Sequence, residues 1–165
     1  MKTLTLIRHA KSSWNNPGLR DFDRPVNDRG KRDLPHMAER FAESYGAPEL
    51  IVSSPAKRAR KTARGFAKAV GLEKDDVSFE ERIYEAWLDT LLEIVWSLDD
   101  GVDDAVLVGH NPTFTELCEW LSGAGIANMP TCAVARIELD VERWSEVGRR
   151  SGSLVSFDYP KKERE

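Results

Sequence analysis

The chain has 165 residues, 41% of them hydrophobic and 32% charged, with a formal net charge of −4. That size predicts one domain with one sizeable core, and the composition argues against disorder. Two cysteines, Cys118 and Cys132, exclude a disulfide scaffold and form no metal-ligand spacing; the longest apolar runs are far too short for a membrane helix, and no signal-peptide core precedes Arg8.

The elements alternate along the chain. Thr3–Ile7 reads as a β-strand, and between it and the next strand lies a helical pattern with Met37, Phe41 and Ala42 on one face, ending near Tyr45-Gly46. Pro35 is expected near that helix's start, because an interior proline breaks a helix. Glu49–Val52 is a short apolar run of a buried parallel strand. A helix follows Pro55, with Ala59, Ala63, Phe66, Ala67 and Val70 as its apolar stripe and Gly71 as its stop. Leu88–Leu98 reads as a third helix, Ala105–Val108 as a strand, and Phe114, Leu117, Cys118 and Leu121 mark a fourth helix. Cys132–Leu139 and Leu154–Tyr159 are late strands. The expected fold is therefore α/β: a three-layer α/β/α sandwich around a central, mostly parallel sheet. One domain over residues 1–160 is expected, with a charged, frayed tail over 161–165.

Charge is unevenly spread. Residues 1–68 hold 15 Lys/Arg against 7 Asp/Glu, and residues 69–165 hold 9 against 21. The basic half suits an anion pocket, while the overall acidity argues against nucleic acid as a partner. The stripe Lys57, Lys61, Arg64, Lys68 reads as a solvated helix face or a docking surface.

Three segments sit where strands end, the place at which open α/β sheets bind ligands. They are Arg8-His9-Ala10-Lys11-Ser12-Ser13-Trp14-Asn15, Ser53-Ser54-Pro55-Ala56-Lys57-Arg58 and Gly109-His110-Asn111-Pro112. In the second and third, Ser54 or Asn111 reads as a helix cap, with Pro55 or Pro112 at the first helical position. Helix N-termini favour anions. Of three histidines, His9 and His110 directly follow strands, a placement that suits catalysis or anion binding; His36 has no such placement and reads as a surface or helix residue.

Arg8-His9-x-x-Ser12-x-Trp14-Asn15, Ser54-Pro55-x-x-Arg58, Ile83-Tyr84-Glu85-Ala86 and Gly109-His110-Asn111 occur in an order that resembles the histidine phosphatase (phosphoglycerate mutase-like) superfamily. Arg8-His9-Ala10-Lys11-Ser12 and Asp21-Phe22-Asp23-Arg24-Pro25 look like its short SixA-type protein phosphohistidine phosphatases. The resemblance implies a phosphoglycerate mutase-like fold and a two-step phosphoryl transfer. His9 attacks phosphorus, and water then hydrolyses the phosphohistidine enzyme. Arg8 and Arg58 grip the equatorial oxygens with forked donors, and His110, when protonated, adds a third donor. Glu85 is the candidate for protonating the leaving group and activating water. Asn15, Lys11 and Asn111 are candidate substrate-binding residues. No metal or cofactor is expected. The expected partner is a phosphorylated protein or a small phosphorylated substrate, with phosphate and its analogues as inhibitors, in the cytoplasm. The alternatives are a phosphomonoesterase for a small metabolite, a non-catalytic phosphate-binding module, and a redox protein using Cys118 and Cys132.

Overall fold

The computed structural model describes residues 1–164. Ten regular elements follow in chain order: β1 (Lys2–Arg8), α1 (Asp28–Tyr45), β2 (Leu50–Ser53), α2 (Lys57–Ala69), β3 (Val77–Phe79), α3 (Leu88–Trp96), β4 (Asp104–Gly109), α4 (Thr113–Ser122), β5 (Val134–Leu139) and β6 (Gly152–Asp158). They build one six-stranded sheet in the order β3-β2-β4-β1-β5-β6. The pairs β2–β3, β2–β4 and β1–β4 are parallel, and β1–β5 and β5–β6 are antiparallel.

Side chains alternate between the two faces of a strand, so each central strand feeds two cores. Leu4 and Leu6 of β1 and Ala105 and Leu107 of β4 pack with Leu91 and Val95 of α3 and Phe114, Leu117 and Leu121 of α4. Ile7, Val106 and Val108 face the other way, onto Met37 and Phe41 of α1 and Ala59, Ala63 and Phe66 of α2. This is the expected three-layer sandwich around a mixed sheet in which three of the five strand pairs are parallel. Strand β3 is an addition: three residues at a sheet edge carry too little periodicity to read from sequence.

Three local expectations are corrected. Pro35 lies well inside α1 rather than near its start. It sits on the solvent-facing side, so the carbonyl it cannot pair with faces water, while buried Leu34, Met37, Ala38 and Phe41 hold the helix to the core. Pro55 precedes α2 instead of opening it; Ala56 is the N-cap residue, and the Ser54 hydroxyl accepts from the Ala56 N–H. Pro112 likewise stands at the N-cap of α4. Asn111 still caps from one residue further back, its Oδ1 accepting from the backbone N–H and hydroxyl of Thr115.

A 3-10 turn spans Pro160–Arg164, and Lys162 Nζ donates to the Phe157 carbonyl; Glu165 lies outside the described residues. His36 is exposed on α1 as expected. Along α2, Lys57, Lys61 and Lys68 are exposed, and Arg64 stacks its guanidinium 5.4 Å from the Phe79 ring centre. Cys118 and Cys132 are free and fully buried, and burial pushes their thiols up to about 11 and about 12, which is the chemistry of core packing rather than redox exchange. No described helix is long and apolar enough to cross a membrane.

The close of β4 is tightly fitted. A Cβ on Gly109 would fall 2.5 Å from ring atoms of buried Phe114 and 2.8 Å from Ile83 Cγ2. Gly109→Ala is therefore expected to destabilise the fold by about 1–3 kcal/mol, since inserted core volume forces neighbours off their rotamers. Urea unfolding of both proteins measures this, and an unchanged midpoint would contradict the packing described.

Candidate active site

Strand register brings the three expected segments to one place. Arg8 lies opposite Gly109, and Ser53 opposite Val108. The ladders run one residue past the strands: His9 N–H donates to the Gly109 carbonyl and Ser54 N–H to the Val108 carbonyl. His9, Ser54 and His110 thus meet at the carboxyl end of the parallel strands, beside a cleft of about 420 Å³.

His9 is 6% exposed. Its Nδ1 lies 2.8 Å from the Ala10 carbonyl, which only accepts, so Nδ1 carries the proton and Nε2 keeps its lone pair. Nε2 faces Arg58 Nε at 3.4 Å. Burial first, and then the charges of Arg58, Arg8 and Arg24, push His9 down to about 3 against the opposing pull of the Ala10 bond. His9 is therefore neutral near pH 7. Thr62 ties the next turn of chain to α2: its hydroxyl accepts from the Ala10 N–H and donates to the Arg58 carbonyl.

The ring of His110 lies 5.2 Å from that of His9. Burial, then His9 and Arg58, push it down to about 3 as well, so it is neutral rather than protonated at pH 7. Its Nε2 is 2.7 Å from Ser54 Oγ, and its Nδ1 is buried with no partner. Ser54 Oγ also accepts from the Ala56 N–H. A neutral His110 imidazole keeps one ring N–H.

The arginines are braced by the protein itself. Arg58, 5% exposed, donates from Nη1 to the Asp21 carbonyl and from Nη2 to Asp21 Oδ2, so its fork is turned to Asp21 and its Nε edge to His9. Asp21 Oδ2 also accepts from the Tyr84 hydroxyl at 2.7 Å, and Asp21 Oδ1 from Arg24 Nε at 3.0 Å. Burial alone would raise Asp21; the bonds from Tyr84, Arg58 and Arg24 outweigh it and hold the carboxyl down at about 2. Tyr84 rises to about 12 through burial and the Asp21 carboxylate. Arg24 Nη1 reaches Ser12 Oγ at 2.7 Å, and its guanidinium stacks 3.5 Å from the ring centre of exposed Trp14. Arg8 donates from Nη1 to the Met129 carbonyl, while its Nε is buried and unpartnered.

Of the expected site residues, Arg8, His9, Lys11, Arg58, Glu85, His110 and Asn111 line the cleft. Glu85 is exposed at its mouth, in the left-handed region at φ 57°. Asn111 is occupied structurally, its Nδ2 donating to Asn128 Oδ1 and the Met129 carbonyl. Asn15 is not brought in: it is exposed and lines a separate groove on the outer side of the loop. Asp21, Arg24, Tyr84 and Ser54 are the residues whose site placement sequence reasoning missed. The Asp21–Pro25 motif and the Ile83–Ala86 segment carried them, but neither spacing says that Asp21 and Tyr84 touch. Among the described residues no group of three or more His, Cys, Asp or Glu side chains is placed to hold a metal ion.

Known proteins resemble this chain in sequence and fold. An uncharacterised chloroplastic protein of Arabidopsis thaliana is 33% identical over 160 residues, 92% of this chain and 72% of the relative. A crystal structure from Agrobacterium tumefaciens, provisionally assigned as the phosphohistidine phosphatase SixA, is 29% identical with a TM-score of 0.82, covering 96% of this chain and 98% of that one. The protein histidine phosphatase SixA complexed with tungstate shares the fold at 19% identity and a TM-score of 0.81, over 96% and 97% of the two chains. The model of the histidine phosphatase superfamily (branch 1) matches residues 4–95, more than half of the chain and the stretch that holds Arg8, His9, Arg58 and Glu85. The chain belongs to the histidine phosphatase superfamily.

Proposed function

We propose that this chain removes phosphoryl groups from phosphohistidine on proteins, through a phosphohistidine formed on its own His9. The observation that carries the reading is the state of His9: neutral, its Nδ1 proton committed to Ala10, its Nε2 lone pair directed at the guanidinium edge of Arg58. A neutral imidazole beside positive charge is a nucleophile matched to a phosphoryl dianion. In the first step Nε2 forms a bond to phosphorus as the bond to the leaving nitrogen breaks. The departing imidazole takes a proton from Glu85 or solvent. In the second step water attacks phosphorus and gives up a proton to Glu85 or solvent, the bond to Nε2 breaks, and the lone pair returns to His9 with phosphate released. Arg8, Arg58 and His110 stabilise the equatorial oxygens throughout.

The openness of the cleft supports a protein-borne substrate. Trp14, at the rim, is 75% exposed, and Trp87, two residues past Glu85, is 80% exposed. The likeness to SixA-type structures supports the same substrate class.

His9→Ala is expected to abolish turnover and any acid-labile phosphoenzyme, a loss of about 10³-fold or more, because the covalent step has no substitute nucleophile. Single-turnover assays with phosphohistidine protein, phosphohistidine peptide and simple phosphomonoesters read both points. Near wild-type turnover in the variant would remove His9 from its role, and a preference for a small ester would transfer the assignment to metabolite hydrolysis.

Glu85→Gln is expected to damage alkyl phosphate hydrolysis more than phosphohistidine hydrolysis. An alkoxide needs a proton as it leaves, whereas imidazole is a better leaving group that protonates near neutral pH. Ratios of kcat/KM on the two substrates measure it, and equal losses on both would exclude a leaving-group role.

The two depressed histidines also make stability depend on pH. Between about 3 and their unfolded value of about 6.5 the folded chain binds fewer protons than the unfolded one, so stability falls as pH falls through that window. His9→Asn/His110→Asn is expected to lose less stability than wild type between pH 7 and pH 4.5. Urea midpoints at the two pH values give the comparison, and parallel losses would mean that these groups are not buried neutral.

A further inference from the structure

A second cavity of about 420 Å³ adjoins the cleft and shares Arg8, Lys11 and Thr131 with it. Arg29, from the first turn of α1, and Lys161, from the C-terminal turn, complete its basic lining. The lining holds four cations against one carboxylate, Asp33. Arg29 Nε lies 3.6 Å from Asp33 Oδ2. Lys11 and Lys161 are exposed and form no ion pair with a carboxylate among the described residues. Arg8, which faces both cavities, keeps its buried Nε without a partner.

The reacting phosphoryl group already has Arg8, Arg58 and His110 in the cleft. The additional cations of the annex repel one another and those of the cleft, a repulsion that a second anion relieves. We propose that the annex is a subsite for a second anionic group, a carboxylate or phosphate carried on the same molecule as the scissile phosphoryl group. Three elements distant in sequence supply its charges: the loop after β1, the start of α1 and the turn after β6. For a protein substrate, the second anion is an acidic side chain near the phosphohistidine. The substrate class rests on the phosphatase reading above, whereas the binding claim is tested without turnover.

The test is calorimetric binding to the full chain of phosphate, methylphosphonate, and two series of increasing chain length, phosphonocarboxylates and bisphosphonates. At one or more chain lengths a two-anion ligand is expected to bind at least about 10-fold more tightly than methylphosphonate. The two series separate a carboxylate from a second phosphate as the preferred group. Lys161→Glu, a change at an exposed position, is expected to weaken the best two-anion ligand about 3-fold or more beyond any effect on phosphate. Two-anion ligands that never exceed methylphosphonate, or a Lys161→Glu effect equal on both ligand types, would overturn the subsite. Tight two-anion binding by a chain that turns over no phosphohistidine would keep the subsite and overturn the protein-phosphohistidine reading instead.

Discussion

Crowded positive charge, removed from water, is the constraint from which the rest of the site follows. Arg8, Arg24 and Arg58 line one cleft, and two of them are nearly buried. Unbalanced cations at such depth are unfavourable, because an apolar surrounding neither solvates nor screens them. The chain answers with Asp21, whose carboxylate takes both Arg58 and Arg24. Four positive side chains, with Lys11 beside the three arginines, against the carboxylates of Asp21 and Glu85 leave the cleft positive overall. Burial is the main force that pushes protons off His9 and His110, and that surplus adds to it; the same surplus attracts a phosphoryl dianion. In the proposed reaction, the surplus therefore serves both the neutral state of His9 and the attraction of substrate.

Such a cluster holds only if its members have no freedom to move apart, and the sheet supplies that rigidity. His9 and Ser54 are backbone-bonded to the end of β4, and Ser54 in turn reaches His110. Arg58 is fixed from three directions: its helix, the Asp21 clamp, and the Thr62 hydroxyl that links its carbonyl to Ala10. The same bracing redefines what the arginines offer. The fork of Arg58 is occupied by Asp21, so it presents one edge of its guanidinium rather than a bidentate grip. Preorganisation of this kind removes the reorganisation that a mobile arginine would undergo during the reaction.

How much of this was legible in sequence depended on how local the cause was. His9, His110 and Arg58 were readable because each follows an apolar strand within a few residues, and parallel strands deliver their ends to one edge. Asp21 and Tyr84 were not, because their contact joins residues 63 positions apart through an irregular loop. Asn15 was misplaced for the complementary reason: closeness in chain to His9 does not survive a loop that turns outward after Ser12 pairs with Val26. Pro35 and the two Ser/Asn-Pro caps show local rules overruled by packing, since a solvent-facing proline leaves α1 intact and each proline precedes its helix by one or two residues. The protonation state of His110 was likewise out of reach, because it is set by burial and by His9 and Arg58, none of which its neighbours in sequence reveal.

The two candidate reactive groups, His9 and Glu85, occupy opposite environments, and that contrast has a chemical logic. His9 must be neutral and aimed at one atom, which burial, a carbonyl partner and neighbouring arginines enforce. Glu85 has to meet whatever group departs, so a place at the mouth is better suited to it than a buried one. Its left-handed backbone, a conformation that costs about 1–3 kcal/mol at a non-glycine residue, persists because Tyr84 on one side is bonded to Asp21 and Ile83 beyond it is buried. The Asp21 clamp thus acts twice, once through Arg58, whose edge it holds against His9, and once through Tyr84, the neighbour of Glu85 at the rim. A single change in that clamp reaches both ends of the reaction coordinate, which makes Asp21 the residue through which the fold governs the chemistry proposed for it.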